Sequence, residues 1–211
     1  VGRDVVDVIC TACQVPHHPA LIQQTGECED CFATRIKKEY AASPQYRVDW
    51  LASAGVPPRY RAPYNARFFP AKGDWSEWRG EPSTVVLSGP VGVGKTYLGI
   101  ELAWRLRSKR TLFVRGTDAV AAMLGTDETI TRGQLSGAEV LILDDLGTNT
   151  VGGAWNLVAT LYAKRYDAML PTIITTNIPV KSGKVAVPDE AMADRLRDAR
   201  VVTLAGKSRR G

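Results

Sequence analysis

Eight consecutive residues, Gly89-Pro90-Val91-Gly92-Val93-Gly94-Lys95-Thr96, fit G-x-x-x-x-G-K-[ST] in full. The chemistry of that pattern is phosphate binding. Glycines let backbone amides curl around phosphate oxygens, and a following helix adds the partial positive charge of its N-terminus. Lys95 is a point charge for the β- and γ-phosphates, and Thr96 places a hydroxyl on Mg²⁺. The loop, with Tyr97 just after it, is expected to hold a nucleotide. Further on, VLILDDLG (140–147) runs four apolar residues into Asp144-Asp145. Asp144 suits the Mg²⁺ shell, through water, and Asp145 would polarise the attacking water. Two aspartates alone would read as helix caps; their pairing with the phosphate loop favours the catalytic reading. A third constellation is cysteine: Cys10-x-x-Cys13, then fourteen residues, then Cys28-x-x-Cys31. Two such turns aim four thiolates at one point, the pattern of a structural Zn²⁺ site with no position open for water.

These groups need elements to position them. TVVLS (84–88) is short, apolar and β-branched and reads as a buried strand leading into the loop. YLGIELAWRLRS (97–108) has helical spacing. Strand, glycine loop and helix together are the context that gives the motif its meaning. TLFVRG (111–116), VLILDDLG (140–147), PTIITTN (171–177) and residues 201–204 read as further strands. Between them DAVAAML (118–124), residues 154–170 and the start of 191–206 read as helices. Five strands alternating with helices imply an α/β fold with a parallel sheet. The strand at 171–177 ends in Thr175, Thr176 and Asn177, where a polar group either reaches the γ-phosphate or simply makes a turn. Arg195, Arg197 and Arg200 follow, and arginine runs are most often solvated faces.

The chain divides into a cysteine module (1–40), a connector (41–80) and an ATPase domain (81–211). About forty residues cannot bury a sufficient core, so metal binding is expected to supply the folding energy of the module. Phe32–Tyr40 reads as a short basic helix. His17 and His18 read as loop residues rather than spare ligands. The connector carries Pro44, Pro57, Pro58, Pro63 and Pro70 with Trp50, Trp75 and Trp78. Prolines break long helices, so 48–55 is expected to form about two turns closed by Gly55, and the aromatics to pack onto the next domain.

The 211 residues carry a net charge of +5, distributed as −2 over 1–40, +3 over 41–80 and +4 over 81–211. The excess suits a phosphate-bearing partner about as well as it suits a solvated surface. Arg105, Arg107, Lys109 and Arg110 are candidate DNA contacts, or complement a helix end. No apolar run reaches the roughly 18 residues of a membrane span, and no export signal is visible at the start given. A cytoplasmic location and reduced thiols are expected, which argues against disulfides.

Beyond the separate motifs, AGVPPRYR (54–61), GPVGVGKT (89–96), VLILDDLG (140–147), RYDAMLPTIITTN (165–177) and ADRLRD (193–198) occur in order. The chain resembles the DnaC/DnaI-type replicative-helicase loaders, AAA+ ATPases of the IstB-like group that are bacterial or phage proteins. The resemblance implies a five-stranded sheet in the order 5-1-4-3-2, without the usual helical lid domain. It implies that Asn177 is the sensor-1 residue, Arg195 an arginine finger acting on a neighbouring subunit, and Arg210, or else Arg209, a sensor-2-like arginine. Segment 56–61 would border the adenine. It further implies ATP, Mg²⁺ and Zn²⁺ as cofactors and a replicative DNA helicase, single-stranded DNA and further copies of the chain as partners. Many AAA+ ATPases carry Glu where Asp145 stands, although Asp-Asp is common in this loader group, so slow hydrolysis is expected, with ATP acting as an assembly switch. The alternatives are an IstB-type transposition helper that binds duplex DNA, and a nucleotide-sensing adaptor without useful turnover.

Overall fold

The computed structural model describes residues 8–17, 28, 30–31, 33–35, 38, 43–61, 78–81, 83–108, 110–147, 154–181, 183–206 and 208. The chain forms two compact units, residues 1–49 and 50–211.

In the first unit, strands β1 (Val8–Ile9) and β2 (Pro16–His17) pair antiparallel, Val8 opposite His17 and Ile9 opposite Pro16. The turn joining them carries Cys10 and Cys13. Gln14 closes it in a left-handed conformation (φ 60°), its N–H donating to the Cys10 carbonyl over 3.0 Å. Of the expected helix at 32–40, residues 33–35 and 38 are helical; the others, and His18, lie outside the described residues.

Helix α1 (Pro44–Ser53) contains, in sequence, the boundary between residues 49 and 50. It begins at Pro44 rather than at residue 48, because proline lacks only an N–H that a first helical turn leaves unused. Gly55 follows it in the left-handed region (φ 77°). In the second unit Trp50, Leu51, Val56, Tyr60 and Trp78 are buried among Leu98, Leu102 and Ala103. The Trp50 indole donates to the Ser108 carbonyl over 3.1 Å and meets Trp104 edge-on at 5.2 Å. These connector aromatics are therefore part of the core. Trp75 lies outside the described residues.

The second unit is built on five strands: β3 (Thr84–Ser88), β4 (Thr111–Arg115), β5 (Val140–Asp144), β6 (Thr172–Thr176) and β9 (Arg200–Thr203). All pairings are parallel, in the order β4-β5-β6-β3-β9. Counted by strand within the domain, this is the expected order 5-1-4-3-2. Every residue of β3, β5 and β6 is buried, as strands covered on both faces require. Alternate residues feed opposite faces. Val85, Leu87, Ile142 and Ile173 pack with helix α2 (Lys95–Leu106). Val86, Leu141, Leu143 and Ile174 pack with α3 (Gly116–Leu124) and α5 (Trp155–Asp167). Parallel strands place the ends at Ser88, Arg115, Asp144 and Thr176 along one edge, where the glycine loop also lies.

Three features were not expected from the sequence. Helix α4 (Arg132–Gly137) opens with a capping box in which the Thr131 hydroxyl accepts from the Gln134 N–H and the Gln134 side chain accepts from the Thr131 N–H. The signature T-x-x-Q was present but has no long apolar run behind it. A small hairpin, β7 (Val180–Lys181) with β8 (Lys184–Val185), turns through Gly183. The helix expected within 191–206 stops early: α6 (Glu190–Arg195) passes into a 3-10 turn (Leu196–Asp198), and Arg200 stands on strand β9 instead.

Arg165 on α5 is fully buried. Its guanidinium donates to the carbonyls of Leu135 (3.1 Å), Ala138 (2.7 Å) and Pro171 (2.8 Å) and to the Thr172 hydroxyl (3.0 Å). One side chain thus ties α5 to the end of α4 and the start of β6. Burial lowers its pKa to about 10, so it remains charged at neutral pH. At the loop, Gly89 (φ 153°) lies so close to the chain after β9 that a Cβ there would sit 2.3 Å from the Leu204 carbonyl oxygen.

Candidate nucleotide-binding site

The ends of β3, β4, β5 and β6 enclose a cleft of about 480 Å³. Val91, Gly92, Gly94, Lys95, Thr96 and Tyr97 line one side, and Asp144, Asp145, Thr175 and Asn177 another. Gly94 (φ 101°) is the N-cap of α2, so the loop delivers Lys95 and Thr96 into the first helical turn. Of the other loop residues, Val93 is buried in the core, and Gly89 and Pro90 contribute carbonyl oxygens. The Lys95 ammonium donates to both, 2.8 Å each, and to Asn177 Oδ1 at 2.6 Å. Asn177 Nδ2 in turn faces Asp145 Oδ1 at 3.3 Å. Lysine, amide and carboxylate from three separate motifs therefore form one polar row.

Thr175 completes it. Its buried hydroxyl donates to Asp144 Oδ1 (2.7 Å) and accepts the Asp145 N–H (2.9 Å). From sequence Thr175 was only a polar strand end; its pairing across the sheet with the Asp144-Asp145 turn gives it this role. Asp145 is in the left-handed region (φ 55°), where Asp is tolerated better than most residues. That backbone supplies a reason for aspartate at this position: its short side chain suits a turn that a longer one would strain.

Asp144 is 5% exposed, and burial raises its carboxyl above the ordinary range, opposed by hydrogen bonds from Thr175 and Thr96. A buried carboxylate beside two hydroxyls is a donor set that fits a hard cation such as Mg²⁺. The stability sign follows from the raised pKa. The folded chain binds this proton more tightly than the unfolded chain, so above the unfolded value ionised Asp144 opposes folding. Asp144→Asn is expected to raise Tm at neutral pH by about 2–4 °C, a gain that is lost as pH falls from the raised folded pKa to the ordinary carboxylate value. Thermal unfolding across pH checks this.

Segment 56–61 borders the opposite end of the cleft through Arg59 and Tyr60, in a 3-10 turn (Pro58–Tyr60). Tyr60 meets Tyr97 edge-on at 5.0 Å, the Tyr97 hydroxyl donates to the Arg59 carbonyl at 3.1 Å, and the Arg59 guanidinium lies 4.7 Å from the Tyr60 ring centre. Such an aromatic pair offers an apolar wall to a nucleobase. Arg115, Gly116 and Thr117 also line the cleft, and sequence reading missed them. Arg195 is not brought into this cleft: it is half-buried at the end of α6, donating to the Ala191 carbonyl at 3.2 Å. Arg209, Arg210 and Lys109 lie outside the described residues. Arg107 stacks on Trp104 (5.0 Å), and Arg110 pairs with Glu139 (2.9 Å).

In the first unit, ligand atoms of Cys10, Cys13, Cys28 and Cys31 all lie within 4.8 Å of one another. Cys13 and Cys28 sulfurs stand 4.0 Å apart, twice a disulfide bond and near the roughly 3.8 Å edge of a tetrahedron with ~2.3 Å Zn–S bonds. Backbone amides direct N–H groups at Cys10 Sγ, from Cys28 at 3.2 Å and Ala12 at 3.4 Å. Hydrogen bonds from the backbone, that of Cys13 foremost, hold this thiol down at about 6. The donor set fits zinc, and four thiolates fill all four tetrahedral positions, leaving none for water. One Zn²⁺ per chain is expected by elemental analysis, with Cys28→Ser losing it and unfolding the module.

A glycine loop between strand and helix, a strand-end carboxylate pair and a polar residue on the strand between them define an AAA+ P-loop nucleotide-binding domain. The family model for "IstB-like ATP binding protein" matches residues 75–210, and the chain belongs to that family. Among solved structures, the DnaC helicase loader matches with 20% identity and a TM-score of 0.53, over 71% of this chain and 100% of that one. A putative primosome component from Streptococcus pyogenes matches with 20% identity and a TM-score of 0.50, over 76% and 98%. A DNA replication initiation factor matches with 18% identity and a TM-score of 0.48 over 62% of this chain, which spans only 42% of that factor. No curated protein matches the chain. Among the described residues, no helix is long and apolar enough to cross a membrane.

Proposed function

We propose that the chain is an ATP-dependent loader of a replicative DNA helicase onto single-stranded DNA. The row from Lys95 through Asn177 to Asp145 carries this reading: it joins the phosphate loop to the group that would sense the γ-phosphate and the group that would polarise water. The match to the DnaC helicase loader over its full length supports the same class. A γ-phosphate entering the loop competes with Asn177 for Lys95, so ATP resets the row while ADP need not. Mg²⁺, held by Thr96 and Asp144, supplies charge neutralisation of the phosphates when bound. Asp145 orients water, and its short reach goes with slow turnover and ATP as an assembly switch.

In this reading the four-cysteine module holds the helicase. Arg195, half-buried and away from its own cleft, serves as the finger in a neighbouring copy, and Arg210 as the second sensor. A cytoplasmic site of action goes with it. The test is capture of the cognate helicase by the full chain, followed by unwinding of a substrate that needs loading. Binding with ATP and a gain in unwinding, both lost in Lys95→Ala, is the expected result. No binding and no gain refutes the loader reading. Membership of the IstB-like family is also compatible with a second reading, a transposition helper; preference for duplex over single-stranded DNA would select it.

A further inference from the structure

We propose that Arg115 binds the terminal phosphate of a nucleoside triphosphate in its own cleft and so makes the site prefer ATP to ADP. The inference rests on the nucleotide reading of the cleft and adds to it a residue that no motif contains.

Arg115 is the last residue of β4, in register opposite Asp144 on β5, and it lines the cleft. Across the sheet edge the order is the phosphate loop after β3, Asn177 after β6, Asp144 and Asp145 after β5, and Arg115 after β4. The three cations of the cleft are differently engaged. Lys95 is committed to two loop carbonyls and Asn177. Arg59 rests on the Tyr60 ring. The Arg115 side chain is exposed and makes no hydrogen bond or ion pair with any described residue, although two carboxylates line the same cleft. Its charge nevertheless reaches Asp144, whose proton affinity it lowers.

A guanidinium beside two carboxylates that it does not bind is placed for a different anion. The first two phosphates of a nucleotide belong to the loop at the β3 end. A third extends along the row past Asn177 toward β5. An arginine side chain at the end of β4 reaches back across one strand spacing of about 4.8 Å to meet it. Its planar fork matches phosphate oxygens in a way a lysine ammonium does not. A diphosphate stops short of it, which is the origin of the discrimination.

The experiment compares equilibrium binding of a fluorescent non-hydrolysable ATP analogue and the matching ADP analogue to the full chain. Variants are Arg115→Gln, Arg115→Lys and, as a control for the cleft, Lys95→Ala. Because Arg115 is exposed and unbonded, Arg115→Gln should unfold at the wild-type temperature. The expected result is about tenfold weaker ATP-analogue binding with ADP-analogue binding changed less than about twofold, and partial recovery in Arg115→Lys. Unchanged binding of both, or an equal loss of both, overturns the proposal. So does unchanged nucleotide binding with weakened oligonucleotide binding, which assigns the guanidinium to nucleic acid instead. A wild-type chain that binds neither nucleotide, like Lys95→Ala, overturns the nucleotide reading of the cleft and this proposal with it.

Discussion

Arg165→Met is expected to destabilise the ATPase unit by about 3–5 kcal/mol, measured by denaturant unfolding. Methionine roughly fills the volume but donates nothing. The carbonyls of Leu135, Ala138 and Pro171 would then lose a donor at positions where the arginine is wholly enclosed. Each buried acceptor left unpaired costs about 1–3 kcal/mol. The partners lie at the end of α4 and the start of β6 while Arg165 itself is on α5, so the loss is not confined to one element. Arg165→Lys should recover only part, because three donors on a point replace a planar fork that serves several acceptors at once. The transition midpoint should fall while its steepness is retained, since the unfolded surface exposed is the same. A loss below about 1 kcal/mol would mean that water replaces the guanidinium without penalty.

Lys95→Ala is expected to weaken nucleotide binding by about a hundredfold, roughly 2.7 kcal/mol, read by titration with an ATP analogue. Lys95 is only 8% exposed and its ammonium already meets three oxygens, so it is fixed in place before any phosphate arrives. Its removal also frees Asn177 Oδ1, and the Asn177–Asp145 contact loses its anchor on the loop. Binding and any turnover should therefore fall together. A variant that binds normally but does not turn over would show that Asn177 and Asp145 need Lys95 while the loop amides alone hold the nucleotide.

Much of the site was legible because its motifs are local. The glycine loop, Asp144-Asp145 and the cysteine pairs each carry their chemistry within a few residues. The five sheet strands were legible too, since β3, β5 and β6 are continuous buried runs. What was not legible depends on which strand lies beside which. Thr175 gains its role from meeting Asp144 across β5 and β6, and Arg115 from ending β4 opposite Asp144. Neither relation has a fixed spacing in the chain. Arg165 stands at a position the family-like stretch 165–177 contains, but only the fold shows that it braces three elements. The short helices failed for a different reason: α4 and α6 are six residues each, too few for a 3.6-residue period to declare itself.

Gly89 has an evolutionary consequence. The space for its absent side chain is occupied by the Leu204 carbonyl, part of the chain itself rather than of a ligand. The first glycine of the motif is thus under selection for folding, whereas Lys95 is under selection for binding. A descendant that lost its nucleotide would be expected to keep Gly89 and drift at Lys95. In homologues of this chain, loss of the lysine with retention of the glycine is the pattern expected of a relic that no longer binds nucleotide.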